Sequence, residues 1–398
     1  MVKIDEALET IYQQITKKRV EIIPLQESIN RVIAREYRAK LNLPSFDNSA
    51  MDGYALSCLS SGVRLRDETI YAGDDKEYSL YDDEAIRIMT GARVPFGCVA
   101  VIPQEKVNID SDRLVFDEIK AGANIRKIGE DVLKDSKLIS KGKKLNGYDI
   151  ALLASQGIGY VEVYQKPKVT ILSSGEELKA FYESILSHQI YNSNTPMFYA
   201  RAKELGADVT FLNSSKDNEE SLKEAISMAL TSDLIITTGG ASVGDKDFTI
   251  SALKALGMEF LFHKVDIKPG KPTSLGKIQD TFIAILAGNP LAAMVNFELF
   301  IRPLILKLSN DSFFYHQLIE TKVASDGYKI KRARDGVILG FWNGRFFKPL
   351  SKQDPFMISP LSLGNAMLVL KSSKEELNES VKIIHLELQS DIFEDILN

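Results

Sequence analysis

The chain is poor in cysteine, histidine and tryptophan: two cysteines, four histidines and one tryptophan in 398 residues. Neither Cys58 and Cys98 nor His188, His263, His316 and His385 are spaced as metal ligands. That argues against a zinc or iron–sulfur site. Two lone cysteines fit a reducing compartment and read as small core residues. No apolar run approaches the roughly 18 residues of a membrane span. The start, Met1-Val2-Lys3-Ile4-Asp5-Glu6, carries acids where a secretory leader needs apolar residues. The expectation is a cytoplasmic protein. Positive charge is not in excess either: the formal net charge is -5, which argues against general nucleic-acid binding. Low-complexity segments and repeats are also missing.

What is present is ordinary globular composition, 44% hydrophobic and 26% charged. The length suggests two to four domains at roughly 100–200 residues each. Ile4, Leu8, Ile11 and Ile15 recur at helical spacing. A second short helix is expected near Glu27 to Ala34. From Pro44 to about Glu130 short β-like runs alternate with Gly, Pro and Asp turns, the pattern of a β-rich insertion. Leu145 to Gly157 reads as a helix.

From Lys168 strands and helices alternate. Strands are expected at Val169–Leu172, Ala207–Leu212, Leu234–Thr237 and Phe282–Leu286. Helices are expected at Thr195–Leu205, Glu219–Leu230, Phe248–Leu256 and Leu291–Leu308. This is the signature of an α/β fold with a doubly wound, mostly parallel sheet. After about Ile319, Asp326-Gly327, Asp335-Gly336 and Asn343-Gly344 are hairpin signals, so an antiparallel β domain closes the chain. The expected division is a discontinuous N-terminal linking domain (1–43 and 132–166), a β-rich insert (44–131), the α/β domain (167–309) and the C-terminal β domain (310–398).

In an open parallel sheet, ligands bind beyond the carboxyl ends of the strands. Three loops fall there: Ser173-Ser174-Gly175-Glu176-Glu177, Thr237 to Asp247, and Ala287-Gly288-Asn289-Pro290. Tyr191 to Pro196 adds a polar helix start. The second loop, TTGGASVGDKD, joins a buried strand to a helix, a turn whose backbone N–H groups suit an oxyanion. Asp245 and Asp247 beside it would repel a bare phosphate, which points to metal-assisted phosphate chemistry. Lys264-Val265-Asp266-Ile267-Lys268-Pro269-Gly270-Lys271-Pro272 packs three lysines and two prolines into nine residues. It reads either as a solvated surface loop or as a rigid holder of an anionic substrate. Within the insert, Pro44 to Ala55, Met89 to Ala92 and Arg126 to Asp131 group polar side chains beside glycine. Periodicity alone cannot bring these to the α/β crevice; a second subunit or a fold-back can.

Together these segments resemble the molybdopterin molybdenumtransferase family, the MoeA proteins and the related E domain of gephyrin. The resemblance rests on PSFDNSAMDGYA (Pro44 to Ala55), RIMTGA (Arg87 to Ala92), NIRKIGED (Asn124 to Asp131), SSGEEL (Ser173 to Leu178), TTGGASVGDKD (Thr237 to Asp247), IKPGKP (Ile267 to Pro272) and GNP (Gly288 to Pro290) running into Phe297 to Pro303. The α/β loop is shared with molybdopterin adenylyltransferases; the insert and the lysine segment are not. The sequence departs from the family at Ala287, where proline is common, and at Gln353 to Ser359, where a Gly-Ser-rich turn is usual.

The resemblance implies a homodimer whose active site joins the α/β domain of one subunit to the insert of the other. It implies insertion of molybdenum from molybdate into adenylylated molybdopterin, release of AMP, and a divalent cation, usually Mg2+. Implied further partners are the adenylyltransferase and the molybdoenzymes that accept the cofactor. Residue roles follow as expectations. Gly239, Gly240 and Ser242 would hold the adenylylated end, with Ser174, Gly175, Asn289 and Ser359 as further substrate contacts. Asp217, Asp245 and Asp247 would hold the cation, Asp217 also touching substrate, while Glu177 and Asp247 serve catalysis in the same crevice. Lys264, Lys268 and Lys271 would hold the pterin phosphate and guide molybdate. Asp52, Thr90 and Asp131 would act on the reacting end from the other subunit. Two other readings stay open here: an adenylyltransferase, which needs only the α/β domain, and a non-catalytic scaffold like gephyrin.

Overall fold

The computed structural model describes residues 1–173, 175, 177–213, 218–238, 248–324, 335–371 and 380–387. Its central sheet comprises β1 (Lys168–Ser173), β2 (Asp208–Asn213), β3 (Leu234–Thr238), β4 (Glu259–His263), β5 (Ser274–Ile278) and β6 (Thr281–Leu286), in the order β2-β1-β3-β6-β5-β4. β1, β2, β3 and β6 run parallel. Their side chains alternate between two buried faces, as period-2 geometry requires. Val169, Ile171, Leu234, Ile236, Phe282, Ala284 and Leu286 meet the helix α1 (Asn194–Glu204) and the helical stretch from Pro290 to Leu308. Leu172, Ile235, Ile283 and Ile285 meet α2 (Glu219–Ala229) and α3 (Phe248–Ala255). Both faces are therefore covered, which is why these strands read as unbroken apolar runs.

β4 and β5 are antiparallel additions at one edge, beyond the strands expected from sequence. Their apolar content is diluted by Gly276, Lys277 and His263. Ser274, the first residue of β5, pairs with Ile285 near the end of β6. The lysine segment between β4 and β5 therefore leaves the sheet at the carboxyl edge of the parallel strands.

The N-terminal helix spans Ile4–Tyr12 and buries Ile4, Ala7 and Ile11; Ile15 lies beyond its end, exposed. No helix forms at Glu27 to Ala34. A single 3-10 turn, Leu25–Glu27, follows the strand Val20–Pro24. Asn30 then adopts a left-handed conformation (φ 61°) and Val32 and Ile33 make β-bridges to Lys144 and Val163. The β-branched pair prefers a pleated surface, and the left-handed Asn30 interrupts any helix. Leu43 pairs with Val132, so the segment between them leaves and returns at one place. It carries a six-stranded sheet built from Gly53–Leu56, Val63–Ile70, Glu84–Ile88, Ala100–Pro103, Val107–Asp110 and Arg113–Phe116.

At the other end, Leu318–Val323, Asp335–Trp342, Phe346–Pro349, Ala366–Leu370 and Ser380–His385 form a mainly antiparallel sheet. Asn343-Gly344 is the expected hairpin turn, with Gly344 at φ 92°. Asp335-Gly336 is not a turn; it begins the longest strand of this sheet, where a Cβ-free residue pairs with Leu370. Asp326-Gly327 lies outside the described residues.

The long helix expected over Leu291–Leu308 is present with one change. A π turn, Phe297–Ile301, separates Pro290–Asn296 from Arg302–Leu308. His316 donates from Nε2 to the Leu299 carbonyl in this turn at 2.8 Å, while its Nδ1 is buried without a partner. Burial pushes its imidazolium down to about 4. The unfolded chain, titrating at the ordinary value near 6.5, binds the proton first. Stability contributed by neutral His316 is thus complete above about 6.5 and is lost as pH falls toward 4, by about 3 kcal/mol. Urea unfolding of the wild type and His316→Gln between pH 7 and pH 4 checks this: the wild type should show the steeper loss.

Candidate active site

Strand register defines the floor of the site. Asn213, Ser173, Thr238 and Leu286 end β2, β1, β3 and β6 in one row. The order β2-β1-β3 reverses direction between β1 and β3, the topological switch point where a crevice opens in such sheets. There the residues turn polar while staying buried: Ser173, Thr237, Thr238, Asn194 and Thr195 are each less than one-tenth exposed. Buried polar groups of this kind are kept where they are hydrogen-bonded or meet a ligand.

The first loop leaves β1 through Gly175, at φ 141°, a backbone conformation that favours glycine. A Cβ there would stand 2.9 Å from both carboxylate oxygens of Glu177, so Glu177 folds back over this residue. Glu177 is exposed. At the third loop, Asn289 and Gly288 are exposed and Asn289 precedes the helix Pro290–Asn296. The free N–H groups of that helix do not await an anion. Leu291 and Ala292 donate to the Pro355 carbonyl at 3.1 and 3.4 Å. Through this contact the divergent segment Gln353 to Ser359 reaches the third loop, and exposed Ser359 begins a short helix, Ser359–Leu363, packed on Pro290–Asn296.

The lysine segment is held on three sides. Val2 donates to the Lys264 carbonyl at 3.0 Å, and Asp266 donates to the Val2 carbonyl at 2.8 Å. Ile267–Lys268 pairs with Asp335 and Gly336 of the C-terminal sheet. Val265 donates to the Lys271 carbonyl at 3.1 Å. Beneath it, a Cβ on Gly270 would stand 1.6 Å from Asn296 Nδ2, so only glycine lets the loop settle on the helix. Lys268 is exposed and Lys264 and Lys271 are half-buried. A pinned backbone with ammonium groups at the ligand edge is the arrangement expected of an anion holder.

In the insert, Asp52 and Thr90 are brought together from segments 38 residues apart. Thr90 donates to Asp52 Oδ1 from both its backbone N–H and its hydroxyl, each at 2.7 Å. These bonds, the hydroxyl foremost, hold the Asp52 carboxyl below the usual carboxylate range. Gly53 follows because a Cβ there would lie 2.0 Å from the Ile102 carbonyl oxygen. Asp131 is exposed but tied elsewhere: its N–H donates to the Leu43 carbonyl at 2.9 Å. Asp47, to which no sequence signal assigns a role, fastens the insert's polar loops. It accepts from Lys127 Nζ and from the Ile128 N–H, both at 2.8 Å. The bonds holding Asp52 and Thr90 stay inside the insert.

Ser174, Asp217, Gly239, Gly240, Ser242, Asp245 and Asp247 lie outside the described residues, as do Arg332 and Arg334. Among the described residues, no group of three or more His, Cys, Asp or Glu side chains is placed to hold a metal ion. No described helix is long and apolar enough to cross a membrane.

Residues 2–157 match the family described as the MoeA N-terminal region (domain I and II). Residues 170–307 match the family described as a probable molybdopterin binding domain. The molybdopterin molybdenumtransferase of Haemophilus influenzae is 39% identical over 315 residues, covering 77% of this chain and 78% of that protein. That of Bacillus subtilis is 35% identical over 318 residues, covering 76% and 74%. The crystal structure of the molybdopterin biosynthesis MoeA protein from Pyrococcus horikosii superposes with a TM-score of 0.82 at 27% identity, covering 98% of this chain and all of that one. Family models and relatives together show the family: the chain belongs to the molybdopterin molybdenumtransferase (MoeA) family.

Proposed function

We propose that this protein completes the molybdenum cofactor, inserting molybdenum from molybdate into adenylylated molybdopterin with release of AMP. The supporting observation is topological. The lysine segment 264–271 leaves the sheet at the same carboxyl end as the β1–β3 switch point, from the far side of β6. Cationic groups and a buried polar floor at one end of the sheet support a polyanionic substrate spanning that end. The adenylyltransferase reading needs only the α/β part and leaves the match over residues 2–157 unused.

In this reading Lys264, Lys268 and Lys271 hold the pterin phosphate and receive molybdate. Gly239, Gly240 and Ser242 take the adenylylated end, with Ser174, Gly175, Asn289 and Ser359 around it. Asp52, held below the usual carboxylate range by Thr90, and Asp131 reach the reacting end from a second subunit, as the family resemblance implies. The protein is thus proposed to work as a homodimer. Mg2+ belongs to the proposal on Asp217, Asp245 and Asp247, where a bound cation supplies charge neutralisation at the phosphoanhydride. The thiolates that finally bind molybdenum are the substrate's own, consistent with a chain that has only two cysteines. A cytoplasmic location completes the reading.

The test is AMP release from adenylylated molybdopterin in Mg2+, with and without molybdate. Molybdate-dependent release is expected. A folded dimer that binds substrate and releases nothing overturns the transferase reading in favour of a scaffold.

A further inference from the structure

We propose that Asn194 is a positioning residue that clamps the end of β3 to the third loop of the α/β crevice and so sets the affinity for the nucleotide end of the substrate. The inference rests on the transferase reading above and adds a residue that reading does not use.

Asn194 is the first residue of α1 and is only 6% exposed. Its place is not explained by its own helix. Asn192 makes the local cap, accepting from the Thr195 N–H through Oδ1 at 3.1 Å and donating from Nδ2 to the Thr195 hydroxyl at 2.9 Å. The Asn194 side chain instead reaches two strand ends. Its Nδ2 donates to the Gly288 carbonyl at 2.7 Å and to the Thr238 hydroxyl at 3.3 Å. Thr238 ends β3 and is the last described residue before the Gly-rich loop; Gly288 belongs to the third loop. One amide thus fixes the spacing between the end of β3 and the third loop. Its Oδ1 is buried without a partner, so the same side chain retains an acceptor for a donor arriving with the ligand. Buried polar groups left unpaired are costly, which makes an asparagine here hard to account for as packing alone.

Two positions already held at a fixed separation need no further ordering when a ligand binds across them. Removing the clamp should therefore weaken binding of the nucleotide end and leave molybdate handling alone. The experiment is equilibrium titration of the full chain with AMP, for the wild type, Asn194→Asp and Asn194→Ala. Asn194→Asp keeps size and an acceptor but removes the amide donor, so it separates the clamp from the packing. Both variants should bind AMP about tenfold more weakly, the scale of one lost hydrogen bond. In the release assay, KM for adenylylated molybdopterin should rise by a similar factor while KM for molybdate stays within about twofold. Should Asn194→Ala fail to fold, Asn194→Asp decides alone. Equal AMP affinity for wild type and Asn194→Asp overturns the proposal, as does a wild type that binds no AMP. A wild type that binds AMP through this clamp but shows no molybdate-dependent release overturns the transferase reading and leaves the clamp standing.

Discussion

Asp52→Ala is expected to lower molybdate-dependent AMP release by about 10²–10⁴-fold, the range for loss of a positioned acid–base group, with the fold intact. The fold should survive because Asp52 is exposed and its side-chain hydrogen bonds go to Thr90, while the backbone bond its carbonyl accepts from Gln104 does not need the side chain. Both of those bonds fall on Oδ1, which leaves Oδ2 for a ligand. Asp52→Asn separates charge from shape, since its carbonyl can still accept from Thr90. If the carboxylate charge is what acts, Asn should be nearly as damaging as Ala. An Asn variant with wild-type release would show that Asp52 only shapes the Thr90 turn. The depressed pKa adds a second check. Asp52 should take up its proton at a lower pH than an aspartate without these bonds.

The second large effect is on stability. Arg201 on α1 meets Glu298 on the π turn through two hydrogen bonds, Nε to Oε1 at 2.7 Å and a terminal nitrogen to Oε2 at 3.1 Å. The same guanidinium donates to the Leu386 carbonyl at 3.3 Å, linking the end of the C-terminal sheet. Glu298 is 1% exposed. Burial works against the Arg201 charge, but the Glu298 carboxylate, with Glu204 beside it, outweighs burial and raises the guanidinium above its ordinary value. Arg201→Met leaves a buried carboxylate without its partner and should cost about 3–5 kcal/mol. Urea unfolding measures it. The double variant Arg201→Met, Glu298→Leu should recover most of the loss, because the penalty lies in the unpaired charge more than in the missing attraction. A single variant within about 1 kcal/mol of wild type would mean that water reaches Glu298 and the pair is not truly desolvated.

Much of the architecture is legible as pattern. The doubly wound sheet can be read because β1, β3 and β6 are apolar on both faces, and the helices between them end at glycines such as Gly206 and Gly257, both at positive φ. The failures have specific causes. Glu27 to Ala34 has helical spacing, but Asn30 and the β-branched pair after it favour bridges to partners over 100 residues away. Asp335-Gly336 carries hairpin chemistry, yet strand pairing to Leu370 overrides it. β4 and β5 carry no clear periodic signal because edge strands mix polar and apolar residues.

For the site, local composition named segments and tertiary structure made relations. The glycines, lysines and acids that carry family resemblance are contiguous, so the chain alone points to them and to the chemistry they suit. Asp52 and Thr90 form a pair only because two strands bring residues 38 positions apart into contact. Lys264 to Lys271 became part of the ligand edge only because β4 and β5 run antiparallel. The polar helix start Tyr191 to Pro196 marks the segment of Asn194 but not its partners, and the Arg201–Glu298 pair has no signature along the chain. Periodicity and turn chemistry act over a few residues, and so a sequence determines its elements and short motifs; bonds spanning 44 or 97 residues exist only once packing has chosen which surfaces meet.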